Sequence, residues 1–511
     1  MLQARGARIE PRWWIAIISS GAFALCYLDQ EAVTVALPSI QRYLHSSSTQ
    51  LQLIVTAYLV ALAAFISLAG RAADIVGYRL VFRTGVIIFV AASAMCGFSH
   101  TVTEVIVGRF VQGMGAAMMI PSATAAVIAA FEHRSRGRAL SFTVAISMVF
   151  LAVGPLIGGL CIHFFSWRSV FLLNLPLGMA LMALMALVSP PERLAPAARL
   201  QQRIDWVGAL LLLLGLAAFL LGILQIQQWG LRSPTVEALL VSGFVGLALL
   251  VVWELRNTNP IVDLRCLTLP RFPLLLVVVS TIRFSVVGFS VLSAIWTQDV
   301  LGLGPIAAGL SLAPFLITLL LVTPLSGILY DRVGPARLVP LGTTAVAVSL
   351  LWMAAILHLY SYPQMIAPYV LMGFGLGLAV SPAVTDLLNA VSEDRRAEAS
   401  GFVQTAREVS GAAGLAVMGA IAANAQWDRT QHLPQNADVT DAASPRIDGM
   451  GMSLHSLPQL KNAVTAPIST SFCVAGGLTL LTALLAFWRL RSSPPPVIRD
   501  FPRSAKRGAR M

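Results

Sequence analysis

Asp29 and Glu31 stand in the stretch LDQEAVTVALPSI (28–40), inside a run that stays apolar from about Trp13 to Ile40. A charged side chain at membrane depth costs at least ~2.5 kcal/mol on insertion scales, so residues retained there usually work. A buried carboxylate can take up and release a proton, because burial favours the neutral acid and a neighbouring cation favours the anion. Cations are available in other apolar runs: Arg109 in 104–127, Arg283 in 273–297 and Arg407 in 400–422. The chain contains no nucleotide-binding loop, HExxH, GxSxG or cluster of metal ligands. ATP-driven transport and membrane enzymology therefore lack the residues they need.

The two acids point nearly oppositely, since residues two apart are ~200° apart around a helix. At 1.5 Å per residue, Asp29 lies ~24 Å along its span from Trp13, in the outer half of a ~30 Å core. Arg109 enters from the other side and reaches a similar depth, ~8 Å below the outer surface. If these two spans line a common cavity, as the family resemblance given below implies, Asp29 is expected to be the proton-coupling or cation-binding acid, facing an aqueous cleft. Its alternative is a static ion pair with Arg109 that only holds helices together. Glu31 is expected near the outer boundary, as a vestibule residue or a plain interfacial acid. Arg283 falls ~15 Å into its span, near the midplane. It can pair with an acid, bind an anionic substrate or snorkel. Phe284, Phe289 and Trp296 offer stacking surfaces for planar substrates, against the commoner fate of lipid-facing packing. Gln112 joins Arg283, Phe284 and Trp296 as a candidate substrate-cavity residue.

Helices in a bilayer must position all of these. The chain has 511 residues, 57% hydrophobic and 11% charged, with a mean hydropathy of +0.79. A soluble chain is about a quarter charged, so lipid is the main solvent here. Backbone groups in lipid must bond within their own segment or a closed barrel, and uninterrupted apolar runs exclude the alternating barrel pattern. Fourteen spans are expected, arranged as a six-helix bundle (13–189), two linking spans (206–255) and a second six-helix bundle (273–489). Flanking them are a cytoplasmic N-terminal tail (1–12), a long external loop (423–467) and a basic disordered tail (490–511). Arg5, Arg8 and Arg12 before Ala22-Phe23-Ala24 loosely imitate a cleaved signal, but the apolar run continues, so an uncleaved first span is expected.

The loops check this count. With the N-terminus inside, 26 of the 35 Lys and Arg residues fall on the cytoplasmic side, six outside and three within spans. That asymmetry is the positive-inside pattern, with both termini cytoplasmic. The net charge of +12 is read as a topology signal, without nucleic-acid binding. Five scattered cysteines show no metal-type spacing and read as packing residues or free thiols.

Two loops repeat. GRAADIVGYR starts at Gly70 and GILYDRVGPAR at Gly327; each has Gly, Asp four later, Gly three after that, then Arg. Gly70, Asp74, Gly77 and Arg79 thus correspond to Gly327, Asp331, Gly334 and Arg337, 257 or 258 residues apart. Internal repeats of spans are the architecture of secondary transporters, with the transport site between the halves. Glycine permits a sharp turn, and a carboxylate beside arginine at a helix end can bond a neighbouring helix in one conformation and release it in another.

These residues resemble the major facilitator superfamily, and the fourteen-span count resembles its drug:proton antiporters of the EmrB/QacA type, across roughly residues 14–490. GRFVQGMGAA (108–117) is similar to the span-four motif, whose arginine, here Arg109, the family implicates in proton coupling. GPLIGG is similar to the antiporter motif through Gly154, Pro155, Gly158 and Gly159. LDQEAVTVALP, SWRSVFLLNLPLG (166–178), IDWVG (204–208) and TAREVSGAAG (405–414) agree as well. The chain departs at Glu31, Thr34 and Leu53, where the subfamily usually has Thr, Asn and Trp, and it lacks the glycine upstream of the span-five motif. The resemblance implies a major facilitator fold in a bacterial inner membrane and proton-driven export of amphipathic drugs, working as a monomer without a cofactor, with or without a periplasmic adaptor protein. A dedicated metabolite exporter on the same fold is the main alternative, and a transporter-shaped receptor a remoter one.

Overall fold

The computed structural model describes residues 11–131, 133–187, 205–230, 232–257, 264–391, 396–430 and 456–492. Every regular element among the described residues is helical. In the N-terminal half these are α1 (Pro11–Leu44), α2 (Ser48–Val76), α3 (Tyr78–Gly97), α4 (Val102–Ala130), α5 (His133–Phe164), α6 (Trp167–Leu172) and α7 (Asn174–Leu187). A pair follows, α8 (Trp206–Trp229) and α9 (Pro234–Arg256). The C-terminal half holds α10 (Phe272–Ile295), α11 (Pro305–Ser311), α12 (Ala313–Val333), α13 (Pro335–Ile356), α14 (Tyr362–Asn389), α15 (Arg396–Thr430) and α16 (Ser456–Ser492).

Local chemistry starts these helices. Ser47 and Gln50 form a reciprocal capping box on α2, Thr101 caps α4, and Asp205 caps α8 through the Gly208 amide. Each satisfies amides that a helix start leaves without partners. Between apolar helices in lipid there is no hydrophobic drive, so close van der Waals packing at small residues does the joining. On α4, Gly113 abuts the Tyr58 carbonyl of α2, while Gly115 lies against Phe89 of α3. In the C-terminal half, Gly342 and Gly375 bring α13 and α14 together. A side chain at any of these positions would force two backbones apart.

Eleven helical stretches among the described residues are long and apolar enough to cross a bilayer. Three further helices, α1, α5 and α15, have 34, 32 and 35 residues and pack within the same bundle. Helices also reach into the segment expected as a loop: α15 continues to Thr430 and α16 begins at Ser456. Gln, Arg, Leu and Lys in QWDRT and SLPQLKN are good helix formers, so helicity outlasts the apolar character that set the expected ends. Residues 1–10, 431–455 and 493–511, which carry most of the tails and of that loop, lie outside the described residues.

The halves meet along two fronts, α2 with α15 and α5 with α11 and α12, while α1 also touches α10 and α11. The α8–α9 pair leans on α2 and α15 through α8. Phe244, Leu249 and Val252 of α9 face outward, as lipid-facing side chains do.

Candidate functional site

Asp29 and Arg109 meet. Arg109 Nη1 donates to Asp29 Oδ2 at 2.5 Å, and each residue is only 1% exposed. Asp29 Oδ1 accepts from Gln112 Nε2 at 2.9 Å and from Asn174 Nδ2 at 2.7 Å. Ser93 Oγ accepts from the same two amides, at 2.6 and 3.1 Å. Arg109 is further held by the Ile54 carbonyl at 3.3 Å, by Gln112 Oε1 at 2.6 Å, and under the Tyr58 ring, 4.2 Å from its centroid. Arg109 and Gln112 lie three apart on α4 and so share a face. Breaking one partner of such a buried pair costs ~3–5 kcal/mol, because the other charge stays buried.

A second charge cluster lies on the seam between the halves. Arg283 of α10 donates through Nη2 to Glu408 Oε2 of α15 at 3.1 Å. Gln404 Nε2 donates to Glu408 Oε1 at 2.9 Å, and Arg407 Nη1 to Gln404 Oε1 at 3.3 Å. Glu31 and Tyr27 of α1 lie within electrostatic reach of Arg283. Glu31 Oε2, Arg283 Nε and Arg407 Nε are buried without a hydrogen-bond partner. This cluster holds two acids and two bases from three helices, with hydrogen-bonding capacity left over.

The motif glycines border the same seam. On one face of α5, Gly158 presses against Ala32 and Gly154 against Leu28 and Glu31 of α1. On the other, Gly159 meets Pro305 and Ile306 of α11, and Gly309 of α11 meets the Pro155 carbonyl. The GPLIGG stretch thus packs α5 backbone-to-backbone between the two halves. Nearby, Gln298 Nε2 donates to the Val35 carbonyl at 3.0 Å, and Ser67 and Thr405 hydroxyls lie 3.1 Å apart, both across the seam.

The repeated loops share a backbone geometry. Gly77 joins α2 to α3 at φ 97°, ψ 134°, and Gly334 joins α12 to α13 at φ 78°, ψ 162°. Only glycine adopts such angles without strain. Gly70 and Gly327 precede these junctions, in α2 and α12. The Asp74 and Asp331 side chains lie outside what the structure describes. Arg79 lines a cavity inside the N-terminal half.

Several expected placements change. Asp29 does not face an aqueous cleft in this conformation; three side chains enclose it. Gln112 is fully buried in the Asp29 cluster. Trp296 is fully buried in the C-terminal core beside Phe289, and Phe284 is half-buried, its backbone against Gly414. Glu31 is half-buried, and its helix runs on to Leu44, which puts it ~20 Å from the C-terminal end of α1. Arg283 takes the first of its open roles and pairs with an acid. Sequence reasoning missed that acid, Glu408, although a carboxylate inside 400–422 invites the same cost argument as Asp29. It also missed Asn174 and Ser93, which carry no charge to mark them.

A profile of the Major Facilitator Superfamily matches residues 20–415. The chain belongs to this superfamily and is a multi-pass membrane transporter rather than an enzyme. It is 32% identical over 411 residues to the multidrug resistance protein Stp of Mycobacterium tuberculosis (strain CDC 1551 / Oshkosh), which covers 80% of this chain and 76% of that protein. It is 27% identical over 515 residues to the tetracenomycin C resistance and export protein of Streptomyces glaucescens, covering 96% and 94%. Among solved structures it resembles a bacterial homologue of the human lysosomal transporter Spinster, inward-facing and occupied, with a TM-score of 0.67, 15% identity and coverage of 95% and 98%. At that identity the likeness concerns the fold alone.

Proposed function

We propose that this transporter is a proton-driven antiporter, of the fourteen-span EmrB/QacA type, that exports amphipathic drugs or toxic organic compounds by alternating access. The observation that carries the reading is the pair of charge clusters buried at membrane depth, one inside the N-terminal half and one on the seam. The names of the two relatives support export of drug-like compounds as the direction and cargo. Counting α1, α5 and α15 with the eleven apolar stretches supports fourteen crossings. The arginine asymmetry supports a bacterial inner membrane location with both termini cytoplasmic. A proton gradient is the only drive invoked, without a cofactor.

Asp29 and Arg109 carry the coupling in this reading. Arg109 keeps a carbonyl, an amide oxygen and an aromatic face when Asp29 is neutralised, so the arginine can stay buried while the acid takes a proton. Releasing Asp29 requires α1 to shift against α4, and α1 is the helix that also bears Glu31 on the seam. Rearrangement of the halves and protonation of Asp29 then act on one element. The seam cluster, with its spare hydrogen-bonding capacity, is the proposed place of substrate contact. A second reading, a dedicated exporter of one metabolite, is favoured by the cluster's balance of two acids and two bases, which suits a molecule bearing both charges.

Inside-out vesicles with a pH-sensitive dye separate these from a non-transporting role. Addition of an exported compound should partly dissipate a preformed proton gradient in vesicles holding the protein and leave control vesicles unchanged. A panel of diverse toxic compounds that includes dyes, antibiotics and zwitterions then tells broad from dedicated export. No change in the gradient with any compound to which expression confers resistance contradicts proton antiport.

A further inference from the structure

At one end of the N-terminal half, the ends of α1, α3, α4 and α7 surround a cavity of about 150 Å³. This is the arginine-rich face, proposed above as cytoplasmic, and the inference rests on that orientation. The walls are of two kinds. Tyr78, Arg79 and Arg83 of α3 line one side, and Ile18, Phe82 and Met185 supply apolar surface. Arg79 and Arg83 are four apart on α3 and so project from the same face. Arg79 Nη2 is buried and has no hydrogen-bond partner, which leaves a guanidinium donor waiting in a confined space. The start of α3 adds to the same field. Its N-cap is Gly77, which contributes no side-chain cap, and the positive end of the helix dipole adds to the arginines' field.

Guanidinium groups match the oxygens of a phosphate group in charge and hydrogen-bonding geometry. Apolar walls beside them match glycerol and the first acyl carbons, and basic pockets between membrane helices on the cytoplasmic side suit anionic headgroups. We propose that this cavity binds a phosphate-bearing anion, supplied by the headgroup of an anionic phospholipid of the inner leaflet. The site lies inside one half, so occupancy ties α3 to α1 and α7 without bridging the seam. It is separate from both charge clusters.

Native mass spectrometry of the purified full chain, released from detergent with added lipid, tests this. Phosphatidylglycerol is expected to bind saturably at one copy per protein, at least ten-fold tighter than phosphatidylcholine. The R79A/R83A double variant should lose that preference, and R79K should keep part of it. R332A/R337A, which alters arginines of the related loop, should keep all of it. Millimolar inorganic phosphate serves as the soluble arm: failure to displace the lipid supports the headgroup source, whereas displacement supports the phosphate site with a soluble source. Because the double variant can misfold, a photoactivatable phosphatidylglycerol is also applied to the unmodified protein. Crosslinks to peptides spanning 13–19 and 78–83 support the site. Equal binding of both lipids, a double variant with unchanged preference, or crosslinks confined to other helices would overturn it. Loss of transport with lipid binding intact would instead count against the antiporter reading alone.

Discussion

The Asp29–Arg109 and Arg283–Glu408 pairs are both carboxylate–guanidinium contacts inside apolar helices, and their surroundings differ. Asp29 accepts from three side chains within one half of the molecule, and its arginine is held at three further points. Glu408 accepts from two, Arg283 leaves Nε unpartnered, and Glu31 opposite them leaves an oxygen unpartnered. The Arg283 side chain is 15% exposed, against 1% for Arg109. In the proposed function the more fully bonded ion pair suits a switch with two defined states, although Asn174 Oδ1 and the Tyr58 hydroxyl beside it are buried without partners. The pair with an unpartnered guanidinium nitrogen, where helices of both halves meet, suits a site that accepts different guests. The difference to be tested is how each ion pair is held, rather than the saturation of its whole surroundings.

Removing the arginines breaks the comparison most strongly. Arg109→Ala leaves Asp29 buried without a counter-charge, and thermal unfolding in detergent should show ~3–5 kcal/mol of lost stability together with loss of export. Arg283→Ala should cost less, ~1–3 kcal/mol, because Gln404 still holds Glu408 and the Arg283 side chain is the less buried of the two arginines. Equal losses from the two variants would remove the distinction between the clusters.

Gly154→Ala sharpens it from the packing side. A methyl there would sit 2.8 Å from Glu31 Cβ, so α1 or α5 must move, at ~1–3 kcal/mol. Export should fall several-fold with the Asp29 cluster intact; unchanged export in a resistance assay would show that the seam tolerates a wider gap. Glu31→Gln should have the smallest effect on stability, under ~1 kcal/mol, since it replaces a poorly partnered acid by a neutral isostere. Its effect should appear in the range of exported compounds, read as a changed order of minimum inhibitory concentrations.

Much of this was legible from the chain itself. Apolar run length and arginine asymmetry set the fold class, and the two Gly-Asp-Gly loops announced the internal repeat that Gly77 and Gly334 share in their backbone angles. Counting residues along two spans brought Asp29 and Arg109 to one depth. The facing of side chains was not legible, because helices apolar all round give no stripe to show which side meets protein. Trp296 and Gln112 were therefore expected at a cavity, whereas Trp296 is buried in the C-terminal core and Gln112 in the polar network around Asp29. Asn174 and Ser93 escaped notice because small uncharged polar residues are common in membrane helices and gain meaning only from their neighbours. The end of α1 was not legible either, because the apolar run stops before the helix does.

Purified protein in liposomes, given a pH gradient and no other drive, isolates the role of Asp29. The unmodified transporter should accumulate substrate against its gradient while releasing protons down theirs. Asp29→Asn should still exchange substrate downhill and lose all uphill accumulation. If the variant continues to accumulate substrate at the expense of the pH gradient, Asp29 carries no proton and the pair with Arg109 is only a brace between helices.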